Sequence, residues 1–280
     1  MFSRDIKKVF LESAKKYRAI TLTGPRQSGK TTLCKMAFPK AQRLSLEALD
    51  IRERALTDPR GFLKGIKGDV IIDEFQRAPE LCSYLQEILD SEIESRRFIL
   101  TGSNSLSLNQ TVSQSLAGRT RLFQLLPLAY SEISETLQKK DLLEILFTGG
   151  YPRIYNESLS AREWLGSYYQ TYVEKDVRQI LNIESLISFD RFVRLVAGRA
   201  GQLINFSSLG TEAGVSQPTA TKWMSVLQAS YIVFPLQPHF KNFNKQVIKS
   251  PKFYFFDTGL LCYLLRIQNP EQLRSEEHTS

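Results

Sequence analysis

Residues 21–32 have the sequence Thr21-Leu-Thr-Gly-Pro-Arg-Gln-Ser-Gly-Lys-Thr-Thr32 and carry the strongest pattern in this 280-residue chain. They fit the phosphate-loop pattern G-x-x-x-x-G-K-[ST]. The preceding residues, 18–23, predict a β-strand, and residues 31–38 predict a helix that ends before Pro39. Strand, glycine loop and helix therefore follow one another in the order that phosphate binding requires.

Each residue type in this loop has a chemical role at a nucleotide site. Glycine permits the backbone turn that points successive N–H groups at phosphate oxygens. We predict that Lys30 reaches the β- and γ-phosphates and assists catalysis, and that Thr31 places its hydroxyl on Mg²⁺. The predicted nucleotide-binding residues are Gly24, Pro25, Arg26, Gln27, Ser28, Gly29, Lys30, Thr31 and Thr32.

A second strand is predicted within residues 68–75, where an uninterrupted apolar run, 70–72, is followed by two acids. Such a run is typical of a parallel strand that is buried on both faces. In phosphate-loop ATPases an aspartate at this strand end holds Mg²⁺, and an adjacent acid can deprotonate the attacking water. We therefore predict Asp73 as a metal ligand and Glu74 as the catalytic base.

Polar and basic side chains near two later strands supply further candidates. A strand predicted within residues 97–104 ends in Ser103 and Asn104. An ATPase with a strand inserted between the loop strand and the acid strand carries a polar sensor there. Ser103 and Asn104 are therefore candidate sensors, and Asn104 is a candidate catalytic residue, although an ordinary turn explains both equally well. Arg119 and Arg121 precede a fifth strand. Either arginine is a candidate for stabilising transition-state charge, with a structural ion pair as the favoured alternative for each, and Arg119 is the predicted catalytic residue of the two.

The net charge of +8 is distributed unevenly. Residues 1–130 carry 21 basic against 14 acidic side chains, whereas residues 131–280 carry 16 against 15. A basic N-terminal half suits a polyphosphate ligand or nucleic acid, and it equally suits an ordinary solvated surface. The charge alone leaves both interpretations open.

The cysteines, histidines and apolar segments exclude several kinds of site. Three cysteines are far apart, as expected of reduced thiols in the cytoplasm, and the two histidines argue against a histidine-based metal or acid–base site. We find no apolar run long enough to cross a bilayer and no secretory segment at the N-terminus, so a cytoplasmic chain without a membrane partner is expected. The cysteines are Cys34, Cys82 and Cys262, and the histidines are His239 and His278.

A winged helix-turn-helix is predicted in the C-terminal half. Residues 206–227 suggest two helices joined by a tight turn at Gly214, and strand-like segments follow at 231–236 and 252–256. Lysines between these strands suit a phosphate backbone, but the second helix carries a single cation. Binding of DNA through residues 216–252 and contact with a protein both remain open. The lysines are Lys241, Lys245 and Lys249.

Together these motifs resemble the prokaryotic AAA-type ATPases in which a winged-helix region and an uncharacterised C-terminal domain follow the ATPase core. The resemblance covers roughly residues 4–273 and implies ATP as ligand, Mg²⁺ as cofactor, and a nuclease-like domain as the natural continuation. The fold that we expect is α/β, a P-loop NTPase of AAA/RecA-like type with a mostly parallel sheet between helices. The strings that carry the resemblance are 24–32, 71–74, 100–104, 116–119, 149–153, 172–176 and 252–260.

We predict five consecutive segments in this chain. Apolar residues of the fourth segment, such as Leu260 and Leu264, are expected to lack their natural partner because that domain is almost wholly absent. The fifth segment differs in character from what precedes it, and its reverse translation can match a common sequencing adapter. The segments are an ATPase domain at 1–130, a helical connector at 131–188, a winged-helix-like domain at 189–256, the start of a truncated domain at 257–273 and a non-native tail at 274–280.

The predicted function is Mg²⁺-dependent ATP binding and hydrolysis that drives a conformational change in the C-terminal region. Transfer of that change is implied by the family resemblance alone. Two alternatives remain: a nucleotide-regulated module that binds DNA or protein with little turnover, and a phosphotransferase that uses the same loop. A homo-oligomer or a protein partner is compatible with each of these functions.

Overall fold

A computed structural model describes residues 2–91, 96–103, 115–137, 141–174, 185–238 and 251–274. The chain divides into two compact units, Ser3–Leu126 and Pro127–Ser280, and the second of them includes Met1–Phe2. Among the described helices, none combines the length and the apolar content needed to cross a membrane.

A five-stranded sheet forms the centre of the first unit. Its strand order is β2-β3-β4-β1-β5, and every neighbouring pair is parallel. The strands are β1 (Ala19–Thr23), β2 (Gln42–Ser45), β3 (Val70–Asp73), β4 (Phe98–Gly102) and β5 (Thr120–Gln124). The helices are α1 (Lys7–Ala14), α2 (Lys30–Ala37), α3 (Leu49–Thr57), α4 (Pro59–Lys64) and α5 (Leu81–Asp90), with a 3₁₀ helix at Phe75–Arg77.

Helices cover both faces of this sheet. Alternate residues of each strand point to opposite faces, so the two faces belong to two different hydrophobic clusters. Ile71 and Ile99 belong to a hydrophobic cluster with residues of α1 and α2. Their neighbours Ile72 and Leu100 belong to a second cluster, which includes residues of α3, α4 and α5. The central strands are therefore apolar on both faces, and the predicted α/β fold with a parallel sheet between helices is confirmed.

Parallel pairing brings the functional segments to one edge of the sheet. β4 lies between the loop strand β1 and the acid strand β3, as predicted. Ile72 pairs with Leu100, and Thr23 pairs with Gly102, so the three strands end at nearly the same level. The loop after β1, the acids after β3 and the polar end of β4 consequently meet outside the carboxyl ends of the strands.

The second unit is mainly helical. Its helices are α6 (Tyr130–Thr136), α7 (Leu142–Thr148), α8 (Pro152–Asn156), α9 (Ala161–Tyr168), α10 (Leu186–Gly198), α11 (Phe206–Ala213), α12 (Gln217–Ala229) and α13 (Thr258–Leu264). A π-helix at Tyr169–Glu174 follows α9, and a 3₁₀ helix lies at Pro270–Leu273. Strands β6 (Val233–Leu236) and β7 (Lys252–Phe255) pair antiparallel, and an isolated bridge joins Leu203 to Lys252.

The segment after β7 is part of the core of this unit, so the expectation that its apolar residues lack a partner is wrong. Leu260 and Leu264 are only 1% and 3% exposed. Both belong to the main hydrophobic cluster, together with Leu165 of α9 and Val193 of α10. Helix α13 packs against α7, α9 and α10. These helices are distant from α13 in the sequence, so local sequence patterns do not reveal the contacts.

A buried carboxylate ties α13 to the end of α7. Asp257 is 3% exposed, and its two oxygens accept hydrogen bonds of 2.7 Å from the backbone N–H groups of Gly150 and Leu260. Burial raises its pKa to about 6, although these backbone hydrogen bonds act in the opposite direction. Gly149 has φ 79°, and a Cβ there would lie 2.5 Å from Asp257 Oδ1, so this contact requires glycine.

We expect Asp257→Ala to destabilise the second unit by about 3 kcal/mol, because two buried N–H groups would lose their acceptors. Urea denaturation followed by tryptophan fluorescence measures this selectively, since both tryptophans, Trp164 and Trp223, lie in the second unit. Asp141→Ala is the matched control. Asp141 also precedes a helix, α7, but its side chain makes no capping bond, so its loss should change stability by under about 0.5 kcal/mol. Equal effects of the two substitutions would contradict the assigned role of Asp257.

Candidate active site

The loop between β1 and α2 has an unusual backbone that requires glycine at its first position, Gly24. Gly24 has φ 149°, and a Cβ at this position would lie 2.1 Å from the carbonyl oxygen of Leu125. Gln27 and Gly29 also have positive φ values, 65° and 94°. Residues in such conformations occur in loops that point backbone N–H groups at an anion, and this loop leads directly into the first turn of α2.

The ammonium of Lys30 lies against this loop. Lys30 is 6% exposed, and its Nζ donates hydrogen bonds to the carbonyl oxygens of Gly24 at 2.9 Å and Pro25 at 2.8 Å. Burial lowers its pKa to about 8, while the charges of Glu74 and Asp73 act to raise it. Lys30 is therefore mostly protonated at neutral pH, and it is a buried cation that two carboxylates and two carbonyls stabilise.

Asp73 connects the loop to two strands of the sheet. Its Oδ2 accepts a hydrogen bond of 2.8 Å from the hydroxyl of Thr31, and its Oδ1 accepts a short hydrogen bond from the hydroxyl of Thr101. The structure thus brings together Thr31 and Asp73, the two predicted metal ligands. We did not predict Thr101. It lies beside Asp73 because the preceding residues of the two strands, Leu100 and Ile72, are paired, and the sequence does not reveal this register.

Glu74 follows in a left-handed backbone conformation with φ 55°, which is uncommon for a residue other than glycine. Its Oε2 accepts hydrogen bonds from Nε2 of Gln76 at 2.6 Å and from the hydroxyl of Ser103 at 3.3 Å. The candidate base is therefore held by one residue that we predicted near the site, Ser103, and by one that we did not, Gln76. Asn104 lies outside the described residues.

The two candidate arginines make other contacts. Arg119 forms a two-pronged ion pair with Asp90, with N–O distances of 2.6 and 2.9 Å. This contact agrees with the interpretation of Arg119 as a structural residue rather than a catalytic one. The guanidinium of Arg121 lies 5.1 Å from the centre of the ring of Phe123, which is two residues further along the same strand, β5. The described contacts thus connect neither arginine with Asp73 or Glu74.

The side chains at this site suit a nucleotide with Mg²⁺. Among the described residues there is no cluster of three His, Cys, Asp or Glu side chains that would hold a metal by itself. Mg²⁺ requires no such cluster, because it binds oxygen and usually takes one or two protein ligands together with phosphate and water. Thr31 and Asp73 supply such oxygens. The hydroxyl of the fully buried Ser28 also has no hydrogen-bond partner among the described residues, which leaves one polar group in the loop available to a ligand.

Comparison with known proteins places two family domains on the chain. Residues 16–134 match the model of an AAA domain, and residues 139–271 match a domain of unknown function (DUF8612). Two mycobacterial proteins, the uncharacterized protein Rv2008c of Mycobacterium tuberculosis and the uncharacterized protein Mb2031c of Mycobacterium bovis, are each 33% identical over 255 residues. The match covers 89% of this chain and 56% of either relative, so the chain spans about half the length of the curated relatives it matches.

A solved structure supports the fold along the whole chain. The Walker-type ATPase PABY2304 of Pyrococcus abyssi superimposes with a TM-score of 0.64, over 95% of this chain and 96% of that one. Its sequence identity of 14% limits the comparison to the fold. The parallel sheet, the glycine loop and the two family matches agree with one another. The chain thus has the fold of P-loop NTPases, and its two parts are similar to an AAA domain and to a domain of unknown function (DUF8612), in that order.

Proposed function

We propose that this chain binds ATP together with Mg²⁺ and hydrolyses it. The observation that carries the proposal is the position of Asp73, which is hydrogen-bonded to Thr31 of the loop helix and lies next to Glu74. A loop for phosphates, two oxygen ligands for a hard cation and a candidate base thus lie at one edge of the sheet. This is the combination that hydrolysis of a nucleoside triphosphate requires.

In the proposed complex, the loop binds the phosphates through its N–H groups, and Lys30 exchanges its carbonyl partners for phosphate oxygens. Thr31 and Asp73 would hold Mg²⁺, and the bound ion would supply neutralisation of phosphate charge. Because the hydroxyl of Thr31 and the carboxylate of Asp73 are already 2.8 Å apart, these two ligands need little rearrangement.

Glu74 is the proposed general base. The hydrogen bonds from Gln76 and Ser103 both go to Oε2, and they restrict the orientation of the carboxylate. A carboxylate with a fixed orientation can accept a proton from a water that attacks in line with the leaving group. Asn104 and Arg119 are further proposed catalytic residues, and Arg119 would have to leave Asp90 to reach the phosphates.

The C-terminal half is the proposed responder to hydrolysis, and we interpret residues 189–256 as a winged helix. The support is the order of elements: α10, the bridge at Leu203, α11, α12, then β6 and β7. The turn at Gly214 and the cap of Ser216 on Thr219 N–H match the predicted boundary between α11 and α12. Contact with DNA through 216–252 remains a proposal, and Lys241, Lys245 and Lys249 lie outside the described residues.

Lys30→Ala should weaken the binding of ATP about 30-fold or more, because a charged hydrogen-bond donor to phosphate is lost. Titration with a fluorescent ATP analogue measures the dissociation constant. Lys35→Ala is the matched control, since Lys35 lies in the same helix but is exposed, and it should stay within two-fold of the unmodified chain. An unchanged dissociation constant for Lys30→Ala would remove Lys30 and its loop from the proposed site.

The affinity for ATP should also fall as the pH rises above about 8. Below its pKa of about 8 the Lys30 ammonium is charged and attracts phosphate, whereas above it the free protein must take up a proton to bind. We expect the logarithm of the dissociation constant to rise with a slope that approaches one per pH unit between pH 8 and 9.5. The same titration on Lys30→Ala should show a flat profile in that range, and parallel profiles would contradict the assignment.

Glu74→Gln should reduce the turnover number about 100-fold or more, because the amide cannot accept the proton from water, while binding of ATP stays within about three-fold. Release of inorganic phosphate without an added acceptor is the appropriate assay. Glu80→Gln is the control, as Glu80 is exposed and makes no capping bond at α5. Turnover by Glu74→Gln at the unmodified rate would exclude Glu74 as the base.

The same assay separates the alternative functions. Tight binding of ATP without phosphate release by the unmodified chain would favour a nucleotide-regulated module that binds DNA or protein. Transfer of phosphate to a small acceptor, without release in its absence, would favour a phosphotransferase. The pairing of Asp73 with an adjacent base favours water as the acceptor, and this is why hydrolysis is our first proposal.

A further inference from the structure

Arg4, which precedes α1, contacts the phosphate loop from outside the motif. Its Nη1 donates a hydrogen bond of 2.8 Å to the carbonyl oxygen of Ser28, and its Nη2 donates one of 2.6 Å to the carbonyl oxygen of Leu126. The two acceptors are 24 and 122 residues away from Arg4 in the sequence. A planar guanidinium presents its donors in a rigid fork, so it fixes the two carbonyls relative to each other.

Ser28 is the residue where support of the loop matters most. It lies between Gln27 and Gly29, the two loop residues with left-handed backbones, and it is completely buried. A loop that offers its N–H groups to an anion leaves its carbonyl groups to find other donors, and a buried carbonyl without one is costly. Arg4 supplies a charged donor to the carbonyl that directly precedes Gly29 and Lys30.

Leu126 is the last residue of the first unit, and the chain around it lies on the beginning of the same loop. The N–H of Leu125 donates a hydrogen bond of 2.8 Å to the carbonyl oxygen of Thr23. The backbone of Leu125 is also the group that leaves no room for a Cβ at Gly24. We call Leu125–Leu126 the exit segment. It contacts the start of the loop directly, and Arg4 connects it to Ser28 at the end of the loop.

We propose that Arg4 is a positioning residue that holds the phosphate loop in its binding conformation and links nucleotide binding to the exit segment. This inference rests on the proposed ATPase function, since it assigns a coupling role at the same site. Any movement of Ser28 when phosphate binds has to be accommodated at Leu126, because one guanidinium holds both carbonyls. Linkage then requires the effect to be mutual: constraint of the exit segment favours the binding conformation of the loop.

Substitution of Arg4 in the 280-residue chain tests this proposal. We expect Arg4→Ala to raise both the dissociation constant for the fluorescent ATP analogue and the KM for ATP about ten-fold, which corresponds to the loss of one charged hydrogen bond. The turnover number should stay within two-fold, because Arg4 contacts neither the candidate base nor the metal ligands in the described structure. Loss of folded protein would instead lower the apparent turnover number and leave KM unchanged, so the two explanations give different results.

Two further variants complete the design. Arg4→Lys should raise the dissociation constant only about three-fold, since an ammonium keeps the charge but lacks the fork that spans both carbonyls. Arg18→Ala is the matched control: Arg18 also donates to two backbone carbonyls, those of Leu89 at 3.1 Å and Ser91 at 2.7 Å, at the opposite end of β1 from the loop. It should leave the dissociation constant within two-fold.

Hydrogen exchange tests the link to the exit segment. In the unmodified chain, ATP with Mg²⁺ should slow exchange in a peptide that covers residues 120–127, and Arg4→Ala should remove most of this slowing even at saturating nucleotide. An unchanged dissociation constant and KM in both Arg4 variants, or an equal rise in Arg18→Ala, would overturn the proposal. Failure of the unmodified chain to bind the analogue would instead overturn the proposed function itself.

Discussion

The carboxylate of Asp73 is the point on which the geometry of the first unit depends. It accepts one hydrogen bond from Thr31 on the loop helix and one from Thr101 on the neighbouring strand β4. These contacts require that β3, β4 and β1 run parallel and end at one level, which the strand register provides. The sheet therefore acts as the scaffold that sets the distance between the glycine-rich loop and two acids.

Around this point a buried cation lies close to two partly buried carboxylates. Lys30 is almost completely buried, and the charges of Asp73 and Glu74 offset part of the cost of burying it. Its Nζ also donates hydrogen bonds to two carbonyl groups of the loop, those of Gly24 and Pro25. Since burying a charge is costly unless opposite charges lie nearby, the two acids help this position to accept a buried lysine.

The second unit relies on a different constraint. Asp257 joins the end of α7 to the start of α13, and the close approach of these segments leaves no space for a side chain at Gly149. Two of the sequence strings that carry the family resemblance, 149–153 and 252–260, thus meet at a single buried carboxylate. Their shared role in the described structure is to close the hydrophobic core of the unit, which includes the aromatic side chains of Phe189, Phe192 and Trp223.

Local patterns in the sequence were sufficient to predict the parallel sheet, and they also located the glycine-rich loop and the acid pair that form the candidate site. Spacing and strand periodicity determine these features over a few neighbouring residues, as in the apolar run 70–72 followed by Asp73 and Glu74. Thr101, Gln76 and Arg4 became visible only in the tertiary structure, and so did the burial of Leu260 and Leu264. Strand register and long-range packing bring those residues to their partners, and neither is encoded in any short stretch of sequence.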